Sequence, residues 1–373
     1  MQYPLISEYV RAIQDASSNL DKLAHLVPVL DDHGEPYRSS GAFAVVFKMK
    51  DEQTGKCYAL KCFTEEQEGR AEAYRQIADE LEFVDSSYIT SVKYLDKEIF
   101  VDSSCEEDEF PVLLMDWIDG ETMETYIAEN YQDNYTMAML CYRFCKMAAW
   151  LRSQPFAHGD IKPDNIMVRP DGNLTLVDYD GMFVPAMKGQ KSPTIGTKDF
   201  SHPLRTVDDF DETIDDFALA SIALSLKAIS LKPSLLDEYG AADRLLFSVN
   251  DYNKLCKINL WKKLSKIKNM EIKKLQTCLR LAENRQNYDN LLISCVKEPT
   301  KDTTLEKVDF LKARAISAVC SSRQLQEHLT SNTHYDLIDL TSQKSENSYP
   351  IKEILALLAV LSFFATTFFE IVF

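Results

Sequence analysis

The stretch HGDIKPDNIMV, residues 158–168, places an acid, a base and an amide within eight positions and follows them with an apolar run. The three are Asp160, Lys162 and Asn165. A carboxylate can accept a proton, a lysine can neutralise anionic charge, and an amide oxygen can bind a hard cation. The alternative is an ordinary polar turn or helix cap. The rest of the chain must therefore contain the partners that an active site would need.

Composition and charge narrow the classes of function. The chain has 373 residues, of which 45% are hydrophobic, enough for a sizeable core in one large or two modest domains. A formal net charge of -17 argues against binding to nucleic-acid phosphates and favours basic substrates or partners. The cysteines follow no metal-ligand or disulfide spacing and no secretory signal precedes them, which predicts a cytosolic location.

The order of hydrophobic patterns predicts an α+β fold with two lobes. Residues 1–35 have the character of a lead-in, and AFAVVFKMK and CYALKCF, joined by DEQTG, predict a hairpin. A charged helix and three further strand-like runs, YITSVKYL, KEIFVD and FPVLLMDWI, complete a sheet-rich first lobe over residues 36–118. Residues 119–296 are mainly helical and form the predicted second lobe.

The C-terminal part of the chain has a different character. Residues 297–350 are polar and charged, with one helix-like stretch, and are predicted to be a linker. The stretch ILALLAVLSFFATTFFEIVF within residues 351–373 is apolar on all sides and is nearly long enough to span a bilayer. We predict a transmembrane helix that anchors a cytosolic domain. A buried terminal helix is the alternative.

In this context, HGDIKPDN resembles the catalytic loop of protein kinases, usually written H-R-D-x-K-P-x-N. The resemblance implies that Asp160 accepts or orients the proton of an attacking hydroxyl and that Lys162 neutralises charge on the transferring phosphoryl. It also implies that Asn165 holds a magnesium ion. Downstream, LTLVDYDGM resembles the D-F-G motif, which makes Asp178 a second magnesium ligand. Asp180 stands where that motif has glycine.

The segment YALK resembles the V-A-I-K strand of the same family. The resemblance implies that Lys61 holds the α- and β-phosphates of ATP and that Ala59 touches adenine. Lys61 would need an acidic partner on the following helix. Glu72 and Glu68 are the candidates there, and Glu72 is preferred.

Two other segments of the first lobe resemble parts of a nucleotide site. SSGAFAVVF resembles the G-x-G-x-x-G-x-V loop with the middle glycine, Gly41, retained, and it makes Val46 the residue that covers adenine. LLMDWIDG resembles the hinge between lobes, with Met115 as gatekeeper and the backbone of Asp116 to Ile118 offered to adenine.

Two segments of the second lobe extend the resemblance. GTKDFSHP resembles G-T-x-x-Y-x-A-P, which implies that Thr197 bridges Asp160 and Lys162, although Leu204 replaces the glutamate that usually follows. In IDDFALASIALSL, Asp215 would accept hydrogen bonds from the catalytic-loop backbone. Gly159 replaces the arginine that pairs with a phosphorylated activation segment. We therefore hypothesise that activity does not require this phosphorylation.

Together these segments cover residues 39–296 and predict an ATP- and magnesium-dependent Ser/Thr protein kinase that acts on a protein substrate and is tethered to a membrane. LKCFT together with HGD and LVDYDGM also resembles a bacterial branch of kinase-like proteins. One alternative is a pseudokinase that serves as a scaffold or nucleotide sensor, as the reduced glycine loop suggests. Another is a small-molecule phosphotransferase, as His-Gly-Asp and Asp-Tyr-Asp suggest.

Overall fold

Six strands from the first part of the chain form one antiparallel sheet. A computed structural model describes residues 2–41, 43–241, 244–288, 292, 294 and 297–300. The strands are β1 Leu26–Pro28, β2 Arg38–Ser40, β3 Ala44–Asp51, β4 Cys57–Phe63, β5 Val92–Phe100 and β6 Glu109–Asp116. Their order is β1-β3-β4-β6-β5, and β2 also pairs with β3.

The β3–β4 hairpin forms as the sequence predicts. Val45, Phe47 and Met49 alternate along β3 and are all fully buried on one face of the sheet. In the connecting turn, the Asp51 carboxylate accepts a hydrogen bond of 2.8 Å from a backbone N–H two residues later, and Gly55 adopts a φ of 73°. These local features set the register of the β3–β4 hairpin.

Helices pack on both faces of the sheet. One face is covered by the N-terminal helices α1 Ile6–Gln14 and α2 Ala16–Asn19, whose apolar side chains join the core of Phe47 and Leu60. The Tyr9 hydroxyl also donates a hydrogen bond of 2.8 Å to the carbonyl of Phe63. The segment expected to be only a lead-in therefore packs as part of the first lobe.

The other face of the sheet packs on helix α3, Arg70–Leu81. Its buried residues Tyr74, Ile77 and Leu81 recur at helical spacing and face the sheet. This core continues without a break into the helical half of the chain.

The second half of the chain, from residue 121 onwards, consists mainly of helices packed around one central helix. Its elements are β7 Glu121–Thr122, α4 Met123–Asn130, α5 Asn134–Leu151, β8 Ile166–Val168, β9 Leu174–Leu176, α6 Asp216–Leu231, α7 Ser234–Tyr239, α8 Val249–Tyr252, α9 Asn259–Lys266 and α10 Met270–Glu283. Helix α6 is buried along almost its whole length and packs against α5 and α10. A helix that is apolar all round is typical of such a core position. It gives the loops at its N-terminus a rigid support.

The region after α3 has fewer strands than the sequence predicts. The runs YITSVKYL and KEIFVD were expected as separate strands, but residues 92–100 form the single strand β5 with an irregularity between Leu95 and Ile99. Lys97 has a φ of 48° there, which is typical of a bulge.

Among the described residues, no helix is both long and apolar enough to cross a membrane. The predicted span at 351–373 and most of the predicted linker lie outside the described residues.

Candidate active site

The backbone of the polar loop at residues 158–165 is hydrogen-bonded to the buried side chain of Asp215. This aspartate lies at the start of α6 and is 3% exposed. Its two carboxylate oxygens accept hydrogen bonds from the backbone N–H groups of His158, at 2.5 Å, and Gly159, at 2.9 Å. Burial raises the pKa of Asp215, and these N–H groups and the His158 ring oppose that rise. The contact is the one expected from the sequence.

Gly159 lets this loop touch a second one. It has a φ of 85°, and a Cβ atom added to it would lie 1.9 Å from the carbonyl oxygen of Gly181. On the carboxyl side of Gly181, the backbones of Ala157 and Phe183 exchange two hydrogen bonds of 3.0 and 2.9 Å. The loop carrying Asp160 and the loop carrying Asp178 are therefore in direct backbone contact. Only glycine fits at position 159.

The Asp160 carboxylate is fixed by partners on both oxygens. Oδ1 accepts hydrogen bonds from the backbone N–H of Thr197, at 2.7 Å, and from its hydroxyl, at 3.0 Å. Oδ2 lies 3.3 Å from Nδ2 of Asn165 and 3.8 Å from Nζ of Lys162. The structure thus brings Asp160, Lys162 and Asn165 together. Thr197 contacts Asp160 as expected, but the expected second contact, to Lys162, is not among those that the described residues form.

Lys61 forms a second cluster with two aspartates. Its Nζ lies 2.9 Å from Oδ1 of Asp178 and 2.8 Å from Oδ2 of Asp180, and Lys61 is 7% exposed. Burial alone would lower the pKa of Lys61, but the two negative charges outweigh it and raise that pKa. Burial would likewise raise the pKa of Asp178, but the charge of Lys61 outweighs it and lowers that pKa. Lys61 and Asp178 are therefore both charged at neutral pH.

The two clusters adjoin each other. The backbone N–H of Val177 donates to the carbonyl of Asn165 at 3.0 Å, and the carbonyl of Val177 lies 2.9 Å from Nε2 of His158. Asp178 follows at once with a φ of 67°, which is rare for a residue other than glycine and is a form of strain found at functional sites. The site therefore lies where the sheet meets the helical half.

The predicted adenine-side residues are neighbours in the sheet. Val46 on β3 is directly opposite Lys61 on β4, and Ala59 on β4 is opposite Met115 on β6. Gly41 lies at the entrance to β3 and donates its N–H to the carbonyl of Ala44 at 2.9 Å. The register thus places Val46, Ala59, Lys61 and Met115 on the same face of the sheet.

The predicted hinge follows β6. The carboxylate of Asp116 is 2.7 Å from Nζ of Lys56, so its side chain is held by the sheet. The N–H of Trp117 donates to the carbonyl of Cys57 at 3.1 Å, and Ile118 comes next, half-buried. The backbone of residues 116–118 runs from the sheet towards α4.

The structure does not bring Glu72 to Lys61. The Glu72 side chain is 65% exposed and accepts a hydrogen bond of 3.0 Å from Gln76 within α3. Helix α3 instead presents Tyr74, whose hydroxyl donates to Oδ1 of Asp180. Helical spacing identifies Tyr74 as a core residue, but it gives no sign of this contact.

Sequence reasoning also missed an arginine beside the loop. Nη1 of Arg205 donates a hydrogen bond of 2.8 Å to the carbonyl of Gly159, and Nη2 lies 3.3 Å from the carbonyl of Thr194. The guanidinium thereby joins the loop of Asp160 to the segment that precedes Thr197. The side chain of Ser192, 4% exposed, also lies 3.4 Å from Nη2.

A second arginine compensates for Leu204. Arg285 donates to the carboxylate of Asp209 at 2.7 Å and to the carbonyl of Leu204 at 2.9 Å. The ion pair between Arg285 and Asp209 thus forms close to Leu204, which stands where the motif has a glutamate. Asp209, five residues after Leu204, supplies the carboxylate instead. The hydrogen bond from Arg285 is the largest cause of a lowered pKa at Asp209.

Comparison with known proteins agrees with this geometry. The sequence model of the protein kinase domain family matches residues 39–302 of this chain. This chain belongs to the protein kinase domain family. Membership in this family accounts for the sheet-rich and helical lobes and for the predicted order of motifs.

The chain is similar to several kinases of this family. It is 25% identical over 171 residues to human serine/threonine-protein kinase MRCK gamma, covering 44% of this chain and 10% of the relative. It is 25% identical over 226 residues to mouse serine/threonine-protein kinase PAK 1, covering 59% and 39%. It is 24% identical over 180 residues to Aurora kinase of Yarrowia lipolytica, covering 48% and 47%. The chain therefore spans less than half the length of each relative.

Proposed function

We propose that this protein is a Ser/Thr protein kinase that transfers a phosphoryl group from ATP to a protein hydroxyl in the presence of magnesium. The observation that carries the proposal is the fixed carboxylate of Asp160. Thr197 binds one of its oxygens, and Lys162 and Asn165 lie beside the other. Proteins of the family whose names include serine/threonine kinase support the same class.

Each residue of this cluster has a chemical role. The Asp160 carboxylate orients the acceptor hydroxyl and accepts its proton as the oxygen attacks the γ-phosphorus of ATP, while the bond from that phosphorus to the bridging oxygen breaks and ADP leaves. Thr197 keeps that carboxylate in place through two hydrogen bonds. Lys162 places a positive charge about 4 Å from Asp160, where it stabilises the negative charge on the transferring group.

Asn165 and Asp178 are suited to hold magnesium. Nδ2 of Asn165 donates to the carbonyl of Asp160 at 2.8 Å, which leaves its amide oxygen as the atom for a cation. The lowered pKa of Asp178 keeps its carboxylate ionised. Hard oxygen donors of this kind, completed by phosphate oxygens, are what magnesium prefers. When bound, magnesium neutralises phosphate charge and orients the transferring group.

The first lobe, residues 36–118, supplies the proposed nucleotide contacts. Lys61 provides the cation for the α- and β-phosphates, and Val46, Ala59 and Met115 provide an apolar surface for adenine. The backbone of Asp116 to Ile118 offers hydrogen-bonding groups to its edge, and the loop at Gly41 lies close to the phosphates. Residues 119–296 supply the catalytic groups.

A cavity beside the loop supports a protein substrate. It has a volume of about 310 Å³, and Pro163 and Asp164 of the loop form part of its wall. Glu124 of α4 and Phe200 of the segment after Thr197 line it as well, with Arg244 at another part of the wall. The chain's net charge of -17 favours a basic substrate segment.

Activity is proposed to be independent of phosphorylation in the segment between Asp178 and Thr197. Gly159 replaces the arginine that would read such a phosphate, and Arg205 already joins Gly159 to Thr194. The contacts that a phosphate would create are thus supplied by the unmodified chain.

A small-molecule phosphotransferase is a second candidate, because Asp180 replaces the usual glycine and contacts Lys61. Incubation with labelled ATP, magnesium and either a basic protein or small hydroxylated and aminated acceptors separates the two. We expect phosphoserine and phosphothreonine in the protein. Labelling of a small acceptor alone would contradict the protein-kinase proposal.

The apolar residues 354–369 are proposed to tether the kinase to a membrane from the cytosolic side, on sequence grounds. Cell fractionation of the full chain beside a variant with three of these residues replaced by lysine tests the proposal. Recovery of both in the same soluble fraction would contradict it.

A further inference from the structure

The two aspartates that contact Lys61 are not equivalent. Asp178 is the residue proposed to hold magnesium, and magnesium would compete with Lys61 for its carboxylate. Asp180 contacts Lys61 through Oδ2 at 2.8 Å, and its other oxygen accepts a hydrogen bond from Tyr74. Asp180 is therefore the carboxylate that can stay with Lys61 when Asp178 binds a cation.

Tyr74 ties this carboxylate to helix α3. It is 3% exposed, and its ring stacks on Tyr94 with centroids 6.5 Å apart and planes inclined by 12°. Burial, followed by the charge of Asp180, raises the pKa of Tyr74 well above 10. The hydroxyl therefore remains a neutral donor at physiological pH, and α3 is connected to Lys61 through Tyr74 and Asp180.

Helix α3 supplies no acidic partner of its own to Lys61. Glu72 is exposed and bonded to Gln76, and Glu68, before the helix begins, is exposed as well. Within the part of the chain that the structure describes, Asp178 and Asp180 are the carboxylates that approach Lys61 Nζ within 4 Å.

The formal charges of Lys61, Asp178 and Asp180 support the same division of roles. One buried ammonium and two partly exposed carboxylates leave a formal net charge of -1, and an added cation at Asp178 would offset it. We propose that Asp180, anchored by Tyr74, is the positioning residue that holds Lys61 for the ATP phosphates, in place of a glutamate on α3. This inference rests on the proposed kinase function.

Equilibrium binding of ATP to the full chain, with magnesium and without an acceptor, tests the inference. Loss of a hydrogen bond to a charged group changes an equilibrium by roughly tenfold or more. We expect Asp180→Asn to weaken ATP binding by at least about tenfold, and Tyr74→Phe by several-fold. Glu72→Gln and the exposed α3 control Asp79→Asn should bind ATP as the wild type does. A loss in Glu72→Gln that matches Asp180→Asn would overturn the proposal.

A double variant shows whether Asp180 acts through Lys61. If it does, Lys61→Met combined with Asp180→Asn should bind ATP no more weakly than Lys61→Met alone. Additive losses would overturn the proposal. A magnesium titration at fixed ATP provides a second readout. Asp180→Asn should keep the wild-type magnesium dependence, whereas a shift as large as that of Asp178→Asn would assign Asp180 to the metal instead.

Thermal unfolding of each variant separates folding from binding. Tyr74→Phe changes one hydroxyl and keeps the ring, so it serves if Asp180→Asn does not fold. Wild-type protein that does not bind ATP would refute the proposed function and this inference together. Wild-type binding that is unchanged in both Asp180→Asn and Tyr74→Phe would refute this inference alone.

Discussion

Replacement of Gly159 by alanine should disable the site by forcing two loops apart. The added Cβ would lie 1.9 Å from the carbonyl oxygen of Gly181, and real Cβ atoms essentially never approach within 3.0 Å. The loops must therefore part by about 1 Å, and a displacement of this size can cost about 100-fold in rate. The φ of 85° adds roughly 1–2 kcal/mol of strain, and overpacking adds roughly 1–3 kcal/mol.

Gly34→Ala is the matched control. Its φ is 80°, and a Cβ atom there would have no neighbour within 4 Å, so it carries the backbone strain without the clash. Both variants should be less stable in urea denaturation, Gly159→Ala by the larger amount. Only Gly159→Ala should lose phosphoryl transfer, at a temperature where both are folded. Transfer by Gly159→Ala within about threefold of the wild type would refute the steric reasoning.

Three further predictions concern the contacts around Asp160 and the end of the second lobe. Thr197→Val should lower kcat by about tenfold, because valine lacks the hydroxyl that bonds to Asp160. Thr197→Ser keeps the hydroxyl and should stay near the wild-type rate. Equal rates for the two variants would contradict this. Phosphatase treatment should leave transfer activity unchanged. Arg205→Met should reduce it, because the guanidinium joins the carbonyls of Gly159 and Thr194 without a phosphate. Inactivation by the phosphatase would contradict the proposed independence from phosphorylation. Arg285→Met should cost roughly 1 kcal/mol in urea denaturation at neutral pH, since the pair with Asp209 is partly exposed. The lowered pKa of Asp209 gives stability that is present above about pH 4 and lost as pH falls through that lowered pKa, so the difference from wild type should shrink at acid pH.

Much of the fold was predictable because the signals are local. The alternating apolar residues of β3 predict both its strand and the face that it buries, and the turn at Asp51 and Gly55 closes the hairpin. The order and spacing of Lys61, Asp160 and Asp178 identified the residues that the structure places together. The N-terminal helices were harder to place, because amphipathic helices have no signal for the surface that they cover.

The parts that could not be predicted depend on contacts between distant residues. Tyr74 and Asp180 are 106 positions apart, and Arg285 and Asp209 are 76 apart. Charge and spacing made Glu72 a reasonable partner for Lys61, but the turn of α3 directs Tyr74 inward and Glu72 to solvent. Which face of a helix points to a site depends on packing that no single sequence displays.

The most direct test of the central claim separates binding from transfer. Full-length protein, Asp160→Asn and Asp178→Asn would each be measured for ATP binding with magnesium and for phosphate transfer to a basic protein. The proposed roles predict that Asp160→Asn binds ATP with magnesium as the wild type does but transfers no phosphate, and that Asp178→Asn loses transfer together with the magnesium dependence of binding. Undiminished transfer by Asp160→Asn would contradict the assignment of these residues to phosphoryl transfer.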